Sequence, residues 1–203
     1  MARESFATLG YGVTTNKYVA TKAGITTGAL YHYFDSKLAI YEAVYRGVQA
    51  VVYVRFRAAM AAKDSFIDQF AAILEVAHQL NAEDPSLARF LGSARIDLAR
   101  HDELRDRIHD APGEGRAVLR QLLDRAVATG EIAPTRRAEM EALLRIVFVG
   151  LVDAVSDDLH AQRAAIDGVL ALMRGSLLRA PKASPARTAK AARPATGVRG
   201  PKS

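Results

Sequence analysis

The chain of 203 residues contains no cysteine and no tryptophan, no proline before position 85 and no acidic residue after position 178. Each absence excludes something. Without cysteine, neither a disulfide framework nor a thiolate zinc site can form. Without proline, the first 84 residues carry no residue that must stop a helix. No run of about 18 apolar residues offers a membrane span, and no basic-then-apolar leader opens the chain, so no membrane association is expected and the cytoplasm is the expected compartment.

What is present is a half-hydrophobic composition, at 50%, in a chain long enough for a substantial core. The net charge of +6 is segregated. Residues 1–57 hold seven Lys/Arg against three Asp/Glu, residues 58–178 hold fourteen against nineteen, and residues 179–203 hold seven against none. A polyanion would therefore meet the two ends rather than the body. Basic tails are also common on proteins that never touch nucleic acid, so charge alone does not decide the matter.

Apolar residues recur at spacings of three and four from Ala2 to Leu178, and no period-2 stretch stands out. The expected fold is all-α, with about nine helices and breaks at Gly10–Gly12, Gly24, Asp35–Ser36, Lys63–Asp64, Asn81–Pro85, Pro112–Gly115, Gly130–Pro134 and Ser156–His160. We expect a small N-terminal head over 1–46, a larger helical domain over 47–178 and a disordered basic tail over 179–203. That tail has four prolines and one large apolar residue, Val198, too little to offset its ordering entropy. It reads as a solvated tail that can add non-specific phosphate contacts.

The most informative stretch is TTNKYVATKAGITTGALYHYFDSK, Thr14 to Lys37. It reads as two short helices around a tight turn, the helix-turn-helix arrangement that puts one helix in the DNA major groove. Thr14 or Thr15 caps the first helix, Val19, Ala20 and Ala23 face inward, and Gly24 suits its C-terminus. Ile25 is expected to plug the core and Thr26 to cap the second helix, with Leu30 and Phe34 as its buried stripe. Thr27, Gly28, Tyr31 and His32 are left outward; Tyr31 and Tyr33 have core aromatics as the alternative. Two local costs point to function. Glycine inside a helix costs roughly 1 kcal/mol against alanine, which Gly28 would justify if DNA approaches closely. Lys37 stands in the first turn of the next helix, where a cation is disfavoured unless a phosphate lies near.

GITTGALYHYFDSK, preceded by TTNKYVATKA, resembles the TetR family of bacterial transcriptional regulators over about residues 2–45. The resemblance implies a homodimer whose three-helix heads read a palindromic operator in double-stranded DNA, and a helical body that holds an unidentified small apolar or amphipathic ligand. It further implies that Thr15 and Lys17 touch phosphates, that Thr26, Thr27 and Gly28 meet the major groove, that Tyr31 and His32 contact backbone or thymine methyls, and that Lys37 clamps a phosphate. The protein would then sit on the bacterial nucleoid when bound. Family members usually carry another helical turn and often a basic arm before the equivalent of Ala2, so we expect a start upstream of Met1, which the intact mass of the native protein tests.

In the body, MEALLRIVFVGLVDAV, Met140 to Val155, is apolar nearly all round and is expected to bury two faces. With the last helix it would form a two-fold interface through Leu143, Val147, Leu151, Ile166, Leu170 and Met173. The ligand site is expected among Phe70, Leu74, His78, Phe90, Ala94 and His101. No catalytic serine elbow, phosphate-binding loop or HExxH is present, and neither a metal nor a cofactor is expected. His101 and His109 lie eight apart among acids, but the interleaved Arg105 and Arg107 point to a salt-bridged surface helix. The expected function is a sequence-specific transcriptional regulator, a repressor released by ligand. The alternatives are a DNA-binding regulator without a small-molecule ligand and, more remotely, a small helical enzyme.

Overall fold

The computed structural model describes residues 1–109, 114–153 and 158–177. Among them every regular element is helical: α1 (Ala2–Val13), α2 (Asn16–Ala23), α3 (Thr27–Tyr33), α4 (Lys37–Ala61), α5 (Phe66–Glu83), α6 (Pro85–Arg100), α7 (Asp102–His109), α8 (Glu114–Ala128), α9 (Arg137–Asp153) and α10 (Leu159–Met173), with a 3-10 turn at Pro134–Arg136. The expected tail, 179–203, lies outside the described residues.

The helices start where short polar side chains can satisfy the free N–H groups of a first turn. Ser36 accepts from Ala39, Ser65 from Asp68, and Asp158 from His160 and Ala161. Asp84 accepts from Ser86, with Pro85 at the first helical position. One α-helix more than the expected nine is found among the described residues, because a boundary falls at His101 with neither glycine nor proline to announce it. His101 leaves the helical region (φ −123°, ψ 104°), and its carbonyl accepts from Leu104 and Arg105 to start α7. Of the two histidines expected on one surface helix, His101 stands just before α7 and His109 is its last residue. The break expected at Gly10–Gly12 is instead a kink inside α1, where Gly10 takes φ 71°.

The 25 residues of α4 run unbroken through the expected 46/47 boundary, a rod of roughly 37 Å shared by head and body. The head's first helix is seated on the body. α1 packs chiefly on α6 and secondarily on α4. Phe6, Tyr11, Tyr41 and Phe90 form one buried aromatic cluster across that seam, with Phe6–Tyr41 centroids 4.8 Å apart and Tyr11–Tyr41 5.3 Å. Edge-to-face pairs of this kind favour one relative placement of the rings. At the seam's centre Asp97, 6% exposed, accepts the Tyr11 backbone N–H at 3.0 Å, the Tyr41 hydroxyl at 3.1 Å and the Ser93 hydroxyl at 3.4 Å. Arg3 adds contacts from the start of α1 to Ser86 and Asp84 at the start of α6.

Candidate DNA interface and ligand cavity

The turn between α2 and α3 is built by local hydrogen bonds. Thr15 accepts from the Tyr18 N–H at 3.2 Å, and Thr26 accepts from the Ala29 N–H at 3.1 Å. α2 ends with Gly24 at φ 70°, its N–H bonded to Thr21, while the Ile25 N–H reaches back to Ala20. That pairing needs a left-handed residue, which glycine supplies without strain. Two inward expectations fail here. Ile25 is 42% exposed and Ala23 is exposed, because the Schellman turn satisfies the helix end through its backbone and turns the Ile25 side chain outward. Val19, Ala20 and Leu30 are buried as expected.

On α3, Thr27 is half-buried, while Gly28, Tyr31 and His32 are exposed, beside Thr26 at its N-terminus. Tyr31 is 51% and Tyr33 75% exposed, so neither is a core aromatic. A Cβ at Gly28 would meet only Thr26 Oγ1, at 3.8 Å; the fold itself does not require glycine there. The Asn16 amide donates to the Tyr31 hydroxyl at 2.9 Å, which fixes the tyrosine's position from α2. Asn16 was not singled out from the sequence, since nothing local marks a residue whose partner lies fifteen positions on. Thr15 and Lys17 are exposed at the start of α2. Lys37 is different. Its ammonium donates to the Tyr11 carbonyl at 2.7 Å and lies 4.2 Å from the Tyr11 ring centroid. The unfavourable first-turn position is therefore already compensated by a carbonyl and a ring face, and it no longer argues by itself for a phosphate.

Tyr11 is the hub of the head-to-body junction. Burial, and after it the hydrogen bond and charge of Glu103, push its phenol up to about 12. Burial pushes the Tyr41 phenol up as well, helped by the Asp97 carboxylate. Both remain neutral donors at any physiological pH.

The body encloses a cavity of about 860 Å³ between α4, α5, α6, α8 and α9. Pockets of roughly 300–1,000 Å³ are the size that takes small organic ligands. Its walls are mainly apolar, with Val52, Phe56, Ile73, Leu87, Leu119 and Phe148 among them, and its polar groups include Tyr45, Gln49, Tyr53 and Gln162 and the charged side chains of α8 and α9. A smaller adjoining cavity of about 290 Å³ shares Tyr45 and Phe148. None of the six side chains expected to hold a ligand lines the larger cavity. Phe70, Leu74 and Phe90 are fully buried in packed core, and Ala94 borders the smaller cavity. The His78 ring pairs with Gln162 at 2.9 Å, behind the wall, and His101 stands edge-on to Tyr11 at the head junction. An inward position looks the same in a sequence whether the space beyond it is filled or empty.

Of the expected interface residues, Leu151 and Ile166 are buried within the protomer, while Val147, Leu170 and Met173 pack against its core. Leu143 is exposed, beside Ile146 on the outside of α9.

A capped helix pair with an exposed, hydroxyl-rich second helix, carried on a helical body, defines a helix-turn-helix DNA-binding regulator of transcription. Residues 1–44 match the family model of bacterial regulatory proteins of the tetR family, so the N-terminal head is a domain of that kind. It is similar to the nucleoid occlusion factors SlmA of Idiomarina loihiensis, 25% identical over 56% of this chain, and of Vibrio campbellii, 23% identical over 70%. The matches span 57% and 69% of those proteins' lengths. The fold matches that of the transcriptional regulator FadR from Bacillus subtilis, in complex with stearoyl-CoA, with a TM-score of 0.69 and 20% identity over 83% of this chain and 94% of that one.

Proposed function

We propose that the protein is a homodimeric repressor that leaves a palindromic operator when a small apolar or amphipathic molecule fills the 860 Å³ cavity. One observation carries the reading: the helices that wall the cavity are also the ones that hold the head. α4 lines it with Tyr45, Val52 and Phe56 and begins at Lys37 in the head; α6 lines it with Leu87 and Leu91 and carries Ser93 and Asp97, which bond α1. A ligand that binds the two cavity shapes unequally would shift the two heads away from the spacing of successive major grooves, about 34–36 Å. Thr15, Lys17, Thr26, Thr27, Gly28, Tyr31, His32 and Lys37 form the proposed DNA-reading surface, and the proposed role is regulatory rather than catalytic. The relative's complex with stearoyl-CoA supports a ligand in such a body.

The test is fluorescence anisotropy on the DNA upstream of the protein's own reading frame, at two salt concentrations, alongside a thermal-shift screen of apolar and amphipathic compounds. Specific binding that weakens with salt, and release by compounds that raise the melting temperature, are the expected results. Specific binding that no stabilising compound relieves would favour a second reading, a DNA-binding protein without a small-molecule ligand.

A further inference from the structure

Arginines are the main charged groups around the cavity. Its lining contains Arg105, Arg116, Arg120, Arg137 and Arg145 against a single acid, Glu141, with no lysine or histidine. Four of the five come from two facing helices. α8 presents Arg116 and Arg120 one turn apart, and α9 presents Arg137, Glu141 and Arg145 at the same interval. The register is set by Arg137, which donates to Asp124 at 2.7 Å and to Glu141 at 3.1 Å. On α8 Arg120 stands one turn from Asp124, and on α9 Arg145 stands two turns from Arg137, so both lie close to the point where the two helices meet. Arg137 is thus doubly paired and Arg105 is paired with Asp102, whereas Arg120 and Arg145 form no ion pair among the described residues. Arg116 and Tyr45 line the same cavity.

Positive charge gathered at one seam of an otherwise apolar cavity repels itself, and an anion relieves that repulsion. Arginine is moreover the side chain best suited to grip carboxylate or phosphate oxygens in pairs. We infer that the cavity takes an anionic amphiphile: an aliphatic chain against Val52, Phe56, Ile73 and Leu119, and a carboxylate or phosphate head at the α8–α9 seam on Arg120 and Arg145. This deepens the ligand-release reading and rests on it only for the consequence at the operator, since the binding itself can be measured without DNA.

The experiment is calorimetric titration of the full chain with dodecanoate, dodecanoyl-CoA and neutral 1-dodecanol, each kept below its micelle concentration, and repeated on Arg120→Gln with Arg145→Gln. Both positions are exposed, so the double variant is expected to fold, and an unchanged melting temperature without ligand checks it. Dodecanoate should bind at least about tenfold more tightly than dodecanol, as lost charge-assisted hydrogen bonds imply. The double variant should lose that preference while keeping its affinity for dodecanol. Tighter binding of the CoA thioester than of the free acid would identify the head as phosphorylated, and the reverse would identify a carboxylate. Equal or tighter binding of dodecanol, a preference that survives in the double variant, or no binding of any probe overturns the inference. Titration of the protein–operator complex separates the two claims. Binding of the anion with no loss of DNA overturns the release reading alone, and release by dodecanol as effective as by dodecanoate overturns the inference alone.

Discussion

Single side chains in the head divide into those that hold it together and those left over for DNA. Thr26 belongs to the first group through its bond to the Ala29 N–H, and Thr26→Ala should destabilise the protein by about 1 kcal/mol in chemical denaturation. Thr27 makes no such cap. Thr27→Ala should leave stability within about 0.5 kcal/mol of the parent, the usual range for a substitution that removes no cap or core contact. The same change should weaken operator binding about fivefold or more by anisotropy, as expected for one lost base or phosphate hydrogen bond. Unchanged binding in Thr27→Ala combined with Lys37→Ala would refute the assignment of the reading surface. Lys37 belongs to both groups, because the ammonium that bonds the Tyr11 carbonyl keeps two further N–H donors. Lys37→Ala should therefore lower both stability and DNA affinity, whereas Thr27→Ala lowers affinity alone. The capping threonines and Gly24 were legible from the sequence because their roles are local. The outward turn of Ile25 was not, since both a plug and an exposed Schellman residue are apolar residues after a glycine.

Between elements, the junction of α1 with α6 decides whether the head moves with the body. Gly10 forms the kink of α1, and its φ of 71° is one that L residues avoid; a Cβ there would also lie 3.2 Å from Asp97 Oδ1. Gly10→Ala should destabilise the fold by roughly 1–2 kcal/mol. Asp97→Ala should do more, about 2–4 kcal/mol, because it leaves the Tyr11 N–H and the Tyr41 hydroxyl buried without an acceptor. If the junction transmits the ligand signal, a milder Asp97→Asn should bind operator but respond less to ligand, which the same anisotropy titration reads. The phenols set the pH behaviour. A Tyr11 pKa raised to about 12 from an unfolded value near 10 means the neutral form is favoured by folding, so that stability is complete below about pH 10 and lost as pH rises toward 12. Helicity followed from pH 8 to 12 should fall in that window. None of this junction was visible in the sequence. Tyr11 and Asp97 lie 86 positions apart, and no pattern of spacing joins them.

For the whole molecule, the unresolved choice between core and interface on α9 and α10 is a matter of how much apolar surface one protomer can cover. Leu151 and Ile166 are covered by the protomer itself, while Leu143 and Ile146, the latter 70% exposed, are left outside. Ile146→Asp should give a monomer by analytical ultracentrifugation and, with the two heads uncoupled, bind operator far more weakly. A monomeric parent protein would count against the proposed homodimer.

The sequence alone determined the helical class, nearly all the helix boundaries and the helix-turn-helix, because periodicity, caps and a left-handed glycine act within a few residues of one another. Only the tertiary structure decided that α4 belongs to head and body alike and that His101 divides two helices. It also decided that the inward Phe70, Leu74 and Phe90 fill space, while the cavity opens beside Val52, Leu87 and the arginines of α8 and α9. Filled and empty volume differ only in how distant helices meet, and that is a property of packing rather than of any stretch of sequence.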